Sequence, residues 1–158
     1  MHVATLRQAE LVVTERTLEV PLDHADPTGE RIEVFAREVV AADKARDDLP
    51  WLVFFQGGPG FEGPRPVDRA SAPWMDRALQ EHRVLLMDQR GMGRSTPIGP
   101  DDARRLAPEL LAERLSHHRA DAIIRDAEAF REALGIVSWS VMGQSFGGFC
   151  VVAYLSAF

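Results

Sequence analysis

The stretch IVSWSVMGQSFGG, residues 136–148, joins an apolar run to a serine flanked by glycines, and it decides the fold. The run Ile136–Met142 predicts a strand, and the six residues after it predict a sharp turn from that strand into a helix. Glycines at Gly143 and Gly147 flank Ser145 because a side chain at either position would collide with the neighbouring strand or helix. Such a turn presents a serine for nucleophilic attack.

The segment Phe149–Phe158 is almost entirely apolar and predicts a buried helix launched from this turn. The N-terminal end of that helix favours negative charge beside Ser145. The backbone N–H of Phe146 would donate to a developing oxyanion. Taken alone, the motif is equally compatible with a glycine-rich turn that holds an incidental serine, so other motifs must decide between the two interpretations.

Two more apolar runs, Trp51–Phe55 and Val84–Asp88, have the length of strands covered on both faces, as does Ile136–Met142. Together they predict parallel central strands. Between the second and third runs, apolar residues at helical spacing precede Gly135, a typical helix stop. These residues are Ile123, Ala127, Phe130 and Leu134. Strand, helix and strand imply a right-handed crossover.

Before these runs, Val3–Pro21 and Arg31–Val40 alternate β-branched with polar residues on either side of the turn-rich segment DHADPTG, residues 23–29. They predict an antiparallel ribbon at the N-terminus. Gly57–Pro73, with four prolines and four glycines, predicts an irregular surface loop. The predicted fold class is therefore α/β, an antiparallel ribbon followed by parallel strands with helical crossovers, in one domain or part of one.

Two further motifs follow the first two central strands. The loop Gln56–Gly60 (QGGPG) stands where a second oxyanion donor is expected, and Gly57 and Gly58 would let the backbone approach a substrate carbonyl. The segment Asp88–Ser95 (DQRGMGRS) closes the second strand. Asp88 and Arg90 are predicted to form a structural ion pair that braces the active-site loops rather than a catalytic couple.

The chain resembles proteins of the α/β-hydrolase fold and, among them, the proline iminopeptidase (prolyl aminopeptidase) family of serine peptidases. The resemblance rests on these three motifs, on VPLDH at residues 20–24 and on the following Asp26-Pro27. The resemblance implies that Ser145 is the nucleophile and that the N–H groups of Gly58 and Phe146 form the oxyanion hole. Gln56 stands where most members carry histidine, and looks like the variant of the larger prolyl aminopeptidases. The supporting motif residues are Gly57, Pro59, Gly60, Gly143, Gln144, Gly147, Asp88 and Arg90.

Members of this family place the triad aspartate, the triad histidine and the substrate-binding cap beyond the serine turn. The resemblance therefore implies that residues 1–158 are the N-terminal part of an α/β-hydrolase domain. Every histidine precedes Ser145, so none is expected to act as the base. They are interpreted as surface or loop residues, with the last two at a helix end: His2, His24, His82, His117 and His118.

Composition narrows the function classes. The chain has 24 acidic and 18 basic residues and a net charge of -6, which disfavours binding to nucleic acid or anionic lipid. It lacks paired ligands at metal-site spacing and any apolar segment of the roughly 20 residues that a membrane span needs. The single cysteine, Cys150, is expected to be a small buried hydrophobe and fits a reducing compartment. A soluble, cytoplasmic protein without a metal or cofactor is predicted.

The expected activity is release of N-terminal proline from peptides with a free N-terminus, through an acyl-enzyme intermediate. Two alternatives stay open: an esterase or another aminopeptidase on the same scaffold, and a non-catalytic fragment. The chain by itself is expected to be inactive because no histidine follows Ser145. An unfinished sheet edge after the third parallel strand predicts self-association or pairing with the C-terminal part.

Overall fold

The computed structural model describes residues 1–8 and 10–158. The strands in this part of the chain are β1 (His2–Arg7), β2 (Leu11–Pro21), β3 (Arg31–Ala41), β4 (Trp51–Phe55), β5 (Arg83–Asp88) and β6 (Trp139–Gly143). The helices are α1 (Pro73–Ala78), α2 (Pro100–Arg105), α3 (Pro108–Ser116), α4 (Ala120–Ala133) and α5 (Phe146–Ala157), with short 3₁₀ turns at Ala42–Lys44 and Arg69–Ser71. The strands form a mixed sheet in the order β1-β2-β3-β5-β4-β6.

The predicted antiparallel ribbon is present, but it has three strands rather than two. β2 and β3 pair antiparallel from Leu11 opposite Ala41 to Pro21 opposite Arg31. The predicted segment 3–21 folds back on itself, so that β1 pairs antiparallel with β2. The alternation of polar and β-branched residues has the same period in both strands, so it does not mark the reversal between them. Ala9, within that segment, lies outside the described residues.

The three parallel strands are confirmed, because β4 pairs in parallel with both β5 and β6. The third strand begins at Trp139, three residues later than predicted. The guanidinium of Arg131 donates to the carbonyl groups of Ile136 and Val137, which holds this stretch out of the sheet ladder. In the described part of the chain β6 is an edge strand and only partly buried, so the expectation that it is covered on both faces is wrong.

The core lies on both faces of the sheet, and α4 covers one of them. The predicted apolar positions Ile123, Ala127 and Phe130 are at most 2% exposed, and they pack against residues of β2 to β5 and α5. The helix ends as predicted before Gly135, whose φ is 68°. On the opposite face α1 packs over β4, with Trp74 stacked on Phe54 at a ring-centroid distance of 4.6 Å.

The last helix is less buried than its sequence predicts. α5 buries Gly147, Cys150 and Tyr154 against β4, β6 and α4. Its other face is open, where four large apolar side chains are 54 to 66% exposed: Phe149, Val152, Leu155 and Phe158. Because the helix is apolar on every side, its sequence cannot indicate which side meets the sheet. Across residues 1–8 and 10–158, no helix combines the length and apolar character that a membrane span requires.

Candidate active site

Three loops meet at one edge of the sheet. Since β4, β5 and β6 are parallel, their carboxyl ends lie at the same edge, where α/β sheets place their ligands. The strand order β5-β4-β6 puts the loop Gln56–Gly60 between the other two. Its neighbours are the segment Asp88–Ser95 on one side and the serine turn on the other. The fold therefore brings together the three motifs that are far apart in the sequence.

Ser145 lies at the tip of the turn between β6 and α5, and it is exposed. Its backbone has φ 54° and ψ -119°, a conformation that non-glycine residues rarely adopt. Three hydrogen bonds hold it there: the N–H of Gln144 donates to the Phe55 carbonyl at 3.2 Å, and the N–H groups of Gly147 and Gly148 donate to the Gln144 and Ser145 carbonyls at 2.8 Å each. Strain of this kind persists where the surroundings over-determine the backbone, which is typical of catalytic sites.

Close backbone packing explains the glycines beside Ser145. A Cβ at Gly143 would overlap the Gly147 carbonyl, and a Cβ at Gly147 would overlap the Phe55 carbonyl of β4. In contrast, a Cβ at Gly148 would have its nearest neighbour at 3.9 Å, the Gly143 oxygen. The turn thus has space for a side chain at the serine and at Gly148, but not at Gly143 or Gly147.

The loop Gln56–Gly60 lies against the serine turn. A Cβ added to the buried Gly57 would be 2.9 Å from the Gln144 carbonyl oxygen and 3.3 Å from the Ser145 Cβ. Gly58 has φ 119° and Gly60 has φ 113°, and the Gly58-Pro59 peptide bond is cis. Within the described residues, neither the N–H of Gly58 nor that of Phe146 donates to a backbone carbonyl. Both donors are therefore available to a substrate oxygen.

Asp88 links this loop to its neighbour and is completely buried. One carboxylate oxygen accepts from Arg37 Nη1 at 2.9 Å and from the Gly63 N–H at 3.0 Å, and the other accepts from the Arg94 N–H at 3.0 Å. The Arg37 charge and two backbone donors satisfy the buried carboxylate. Asp88 therefore ties Gly63, just past the glycine-rich loop, to the segment that follows β5.

The predicted ion pair between Asp88 and Arg90 is wrong. On β3, Phe35 lies opposite Asp88, and Arg37, two residues further on, points to the same face of the sheet. Arg37 therefore forms the ion pair with the Asp88 carboxylate. The chain turns after Asp88, so the side chain of Arg90 reaches α4 instead. There Arg90 Nε and Nη2 donate to Asp126 at 2.7 and 2.6 Å. Arg90 Nη1 also donates to the carbonyls of Leu22 and His117, at 2.7 and 2.8 Å.

His24 belongs to the same buried cluster, although the sequence suggested only a surface or loop position. Its Nε2 is 2.9 Å from Asp126 Oδ1 and 2.9 Å from Arg90 Nη2. Sequence reasoning missed Asp126, which stands three residues after Ile123 on the apolar face of α4. A carboxylate at a core position of a helix was the signal that could have revealed it, since buried charges are almost always paired.

Two further histidines, His117 and His118, have local structural contacts. His117 caps the end of α3, as predicted, and His118 Nδ1 pairs with the Arg114 carbonyl at 2.8 Å. Burial lowers the pKa of His118, and the neighbouring Arg90 lowers it further. The ring hydrogen bonds of His24 and His118 go to these groups and not to Ser145.

An open, mostly apolar groove of about 810 Å³ lies next to the serine turn. Pro59 of the glycine-rich loop and Phe146 of the serine turn form its end nearest Ser145. Phe149 of α5 and Ile124 of α4 continue it, and Asp121 stands at its side. The groove can therefore hold an apolar group beside the serine turn.

Comparison with known proteins agrees with this geometry. Residues 50–158 match the family described as the alpha/beta hydrolase fold. A proline iminopeptidase of Aeromonas sobria is 54% identical over 141 residues, which are 88% of this chain and 33% of that protein. One of Aspergillus aculeatus is 39% identical over 157 residues, 92% of this chain and 34% of its own.

Solved structures also resemble this chain. The proline iminopeptidase-related protein of Thermus thermophilus superposes with a TM-score of 0.53 at 25% identity, over 91% of this chain and 41% of its own. The chain spans about a third of the length of the two curated relatives above. With its matched family, its sheet and its serine turn, this chain belongs to the α/β-hydrolase fold family, and its homologues there are proline iminopeptidases.

Proposed function

We propose that this chain is the part of a proline iminopeptidase that supplies the nucleophile and the oxyanion hole. The observation that carries the proposal is the packing of Gly57 against Ser145, which places two free backbone donors, Gly58 and Phe146, beside a strained and exposed serine. Preorganised donors of this kind stabilise the charge that develops in acyl transfer. The identity to proline iminopeptidases supports the choice of substrate.

In the proposed reaction, Ser145 Oγ attacks the carbonyl carbon of an N-terminal proline residue. A histidine from sequence beyond the serine turn takes the hydroxyl proton and returns it to the leaving amine. The N–H groups of Gly58 and Phe146 stabilise the oxyanion, and water then hydrolyses the acyl-enzyme to release proline. The substrate is a peptide with a free N-terminus, and the reaction needs no metal or cofactor.

By the same proposal, residues 1–158 are the N-terminal part of the catalytic domain and are inactive alone. No histidine follows Ser145 in this sequence, so the chain lacks a base in the usual order of serine, acid and histidine. The complete form adds the triad acid, the histidine and the cap that binds the substrate amine. We propose that this C-terminal part packs on the open edge at β6 and the exposed face of α5.

The test is the replacement Ser145→Ala in the complete form. The rate of proline 4-nitroanilide hydrolysis is expected to fall on the order of 10⁶-fold, because the nucleophile is removed. The urea midpoint should change little, since alanine keeps the Cβ that the turn already holds. Thr5→Ala removes an exposed hydroxyl on β1, at the opposite edge of the sheet, and is the control that should keep full activity. Undiminished hydrolysis by Ser145→Ala would contradict the proposal.

Ester hydrolysis is the second candidate activity. An exposed serine with two oxyanion donors can attack esters and amides alike, and the groove beside Pro59 does not itself require a free amine. Relative values of kcat/KM for proline 4-nitroanilide and for a simple 4-nitrophenyl ester separate the two. A preference for the proline amide supports the peptidase, and a preference for the ester favours the esterase.

We also propose a cytoplasmic location. The support is the single thiol of the sequence, Cys150, which is buried and unpaired, as is usual where thiols stay reduced. Fractionation of the source cells with an antibody to this chain tests the location, and recovery outside the cytoplasm would contradict it.

A further inference from the structure

The buried side chain of Gln89 makes a hydrogen bond to the start of the glycine-rich loop. The residue follows β5 directly and is 2% exposed. Its Nε2 donates to the main-chain carbonyl of Gln56 at 3.0 Å. Gln56 is the first residue after β4, so this bond joins the ends of two adjacent parallel strands through a side chain.

The bond constrains more than one atom because a peptide group is planar. The carbonyl of Gln56 and the N–H of Gly57 belong to the same rigid plane, so holding the oxygen also sets the direction of the chain into Gly57. Gly57 in turn contacts the Gln144 carbonyl and Ser145. The next N–H along the chain is that of Gly58, a free donor at the site.

The loop also has anchors on either side of this bond. On the side of the serine turn, the Phe55 carbonyl accepts from the Gln144 N–H at 3.2 Å. Just past the far end, the Gly63 N–H donates to Asp88 at 3.0 Å. Between these anchors, Gly58 and Gly60 take positive φ angles. Glycine adopts positive and negative φ about equally, so these two residues do not by themselves fix the loop conformation. Consecutive residues, Asp88 and Gln89, thus hold its two ends.

We propose that Gln89 is a positioning residue that aims the Gly58 N–H at the oxyanion, a role that rests on the function proposed above. The oxyanion exists only in the transition state and the tetrahedral intermediate. Loss of the Gln89 bond therefore lowers kcat and leaves substrate binding nearly unchanged.

The kinetic experiment uses the complete form with the replacement Gln89→Met, which keeps the side-chain length and removes the donor. We expect kcat for proline 4-nitroanilide to fall about 10- to 100-fold, the size of effect that a small misplacement of a catalytic group produces. KM should change less than about threefold, since the bond acts on the oxyanion. The matched control is Gln80→Met, at an exposed glutamine after α1, which should match the wild type.

A second readout needs no turnover and uses the 158-residue chain itself. Backbone ¹⁵N relaxation measured by NMR should give lower order parameters at Gly57 and Gly58 in Gln89→Met than in the wild type, because the loop loses an anchor. Order parameters in α4 should stay the same. A residue that only stabilises the fold would instead lower the urea midpoint and leave the order parameters of the folded loop unchanged. If Gln89→Met does not fold, Gln89→Asn, which keeps the amide but is one methylene too short, is expected to give the same local effects.

The results separate this inference from the proposed function. Failure of the wild-type complete form to hydrolyse proline amides counts against the proposed function, and the NMR relaxation experiment still decides the role of Gln89. Unchanged order parameters at Gly57 and Gly58, or a raised KM at constant kcat, overturn the inference. A fall in kcat that matches an equal loss of folded protein overturns it as well.

Discussion

Gly147 shows at the scale of one residue how the serine turn depends on backbone packing. The first turn of α5 approaches β4 so closely that Gly147 faces the Phe55 carbonyl with no space for a Cβ. This approach places the helix N-terminus, and with it the Phe146 N–H, beside Ser145. A side chain at Gly147 would push the helix away from the strand and the donor away from the site.

We predict that Gly147→Ala destabilises the chain by about 3 kcal/mol or more, because the added methyl group overlaps main-chain atoms that cannot rotate away. Gly148→Ala is the matched control. There the methyl group has free space, and alanine in a helix should stabilise by about 0.5 to 1 kcal/mol. Urea unfolding of the two variants checks this, and equal midpoints would show that the packing argument fails.

At the scale of elements, Arg90 and Asp126 fasten the N-terminal ribbon to the helical layer. Both side chains are completely buried. Arg90 binds α4 through Asp126, the segment after β2 through Leu22, and the end of α3 through His117. Three parts of the chain therefore meet at one guanidinium, directly after the strand that carries Asp88. The cluster therefore fixes the positions of the ribbon, α3 and α4 relative to one another.

We predict that Arg90→Met destabilises the chain by about 3 to 5 kcal/mol, because it leaves the buried Asp126 carboxylate without its arginine partner and with only His24 beside it. The double variant Arg90→Met with Asp126→Leu should recover part of that loss, since no buried charge remains. Arg104→Met is the control, because its pair with Asp101 is exposed and should contribute less than about 1 kcal/mol. Thermal and urea unfolding measure all three variants. A small effect of Arg90→Met alone would contradict the role given to Arg90 and Asp126.

At the scale of the whole molecule, β6 and α5 leave an open apolar surface. The outer edge of β6 has unpaired main-chain groups in the described chain, and Phe149, Val152 and Leu155 lie exposed on α5. An edge strand with an apolar neighbour is prone to pair with further polypeptide. In the absence of the C-terminal part, the 158-residue chain is expected to cover this surface with a second copy.

We predict that the 158-residue chain self-associates and that Val152→Lys with Leu155→Lys shifts it to the monomer, because charges on the open face repel a second copy. Native mass spectrometry measures the species present. The control is Val67→Lys, which changes a residue that is 73% exposed on the loop before α1. Addition of the C-terminal part as a separate polypeptide should give a one-to-one complex. If the wild-type chain is monomeric and does not bind the C-terminal part, the assignment of β6 and α5 as an interaction surface is wrong.

The pH dependence of folding is also a property of the whole molecule. Burial raises the pKa of the Cys150 thiol from its ordinary value of 9.0 to about 11. Below pH 9 the folded and unfolded chains both keep this proton. Between pH 9 and 11 the unfolded chain loses it while the folded chain retains it, so the free energy of unfolding falls in that window.

We predict that Cys150→Ala reduces the slope of stability against pH between pH 9 and 11. Urea unfolding at a series of pH values gives this slope for both chains. Thiolate absorbance near 240 nm should also titrate near pH 11 in the native chain and near pH 9 in urea. An unchanged slope would show that Cys150 is not the group responsible. Tyr154, whose pKa burial and Glu128 raise from 10.0 to about 12, also lowers the free energy of unfolding between pH 10 and 12, and it does so equally in both chains.

Local patterns were enough to predict much of the fold. Trp51–Phe55 is a strand with the predicted bounds, and α4 has the predicted apolar face and stop, because period and glycine chemistry are local properties. The same patterns mislead where two structures share one signature. The alternation in residues 3–21 continues through a hairpin, and the uniformly apolar α5 carries no sign of which side is exposed.

The sequence by itself determined the three central strands, the helix between the last two of them, the serine between its glycines, and the resemblance to α/β hydrolases, since each depends on neighbouring residues. Only the tertiary structure decided the partners of Asp88, Arg90 and Gln89. These side chains lie within three consecutive residues at the end of β5, yet they reach Arg37, Asp126 and Gln56, on three different elements. Contacts between residues distant in the chain depend on which sheet face or loop each side chain meets, and that is settled when the strands take their places in the sheet.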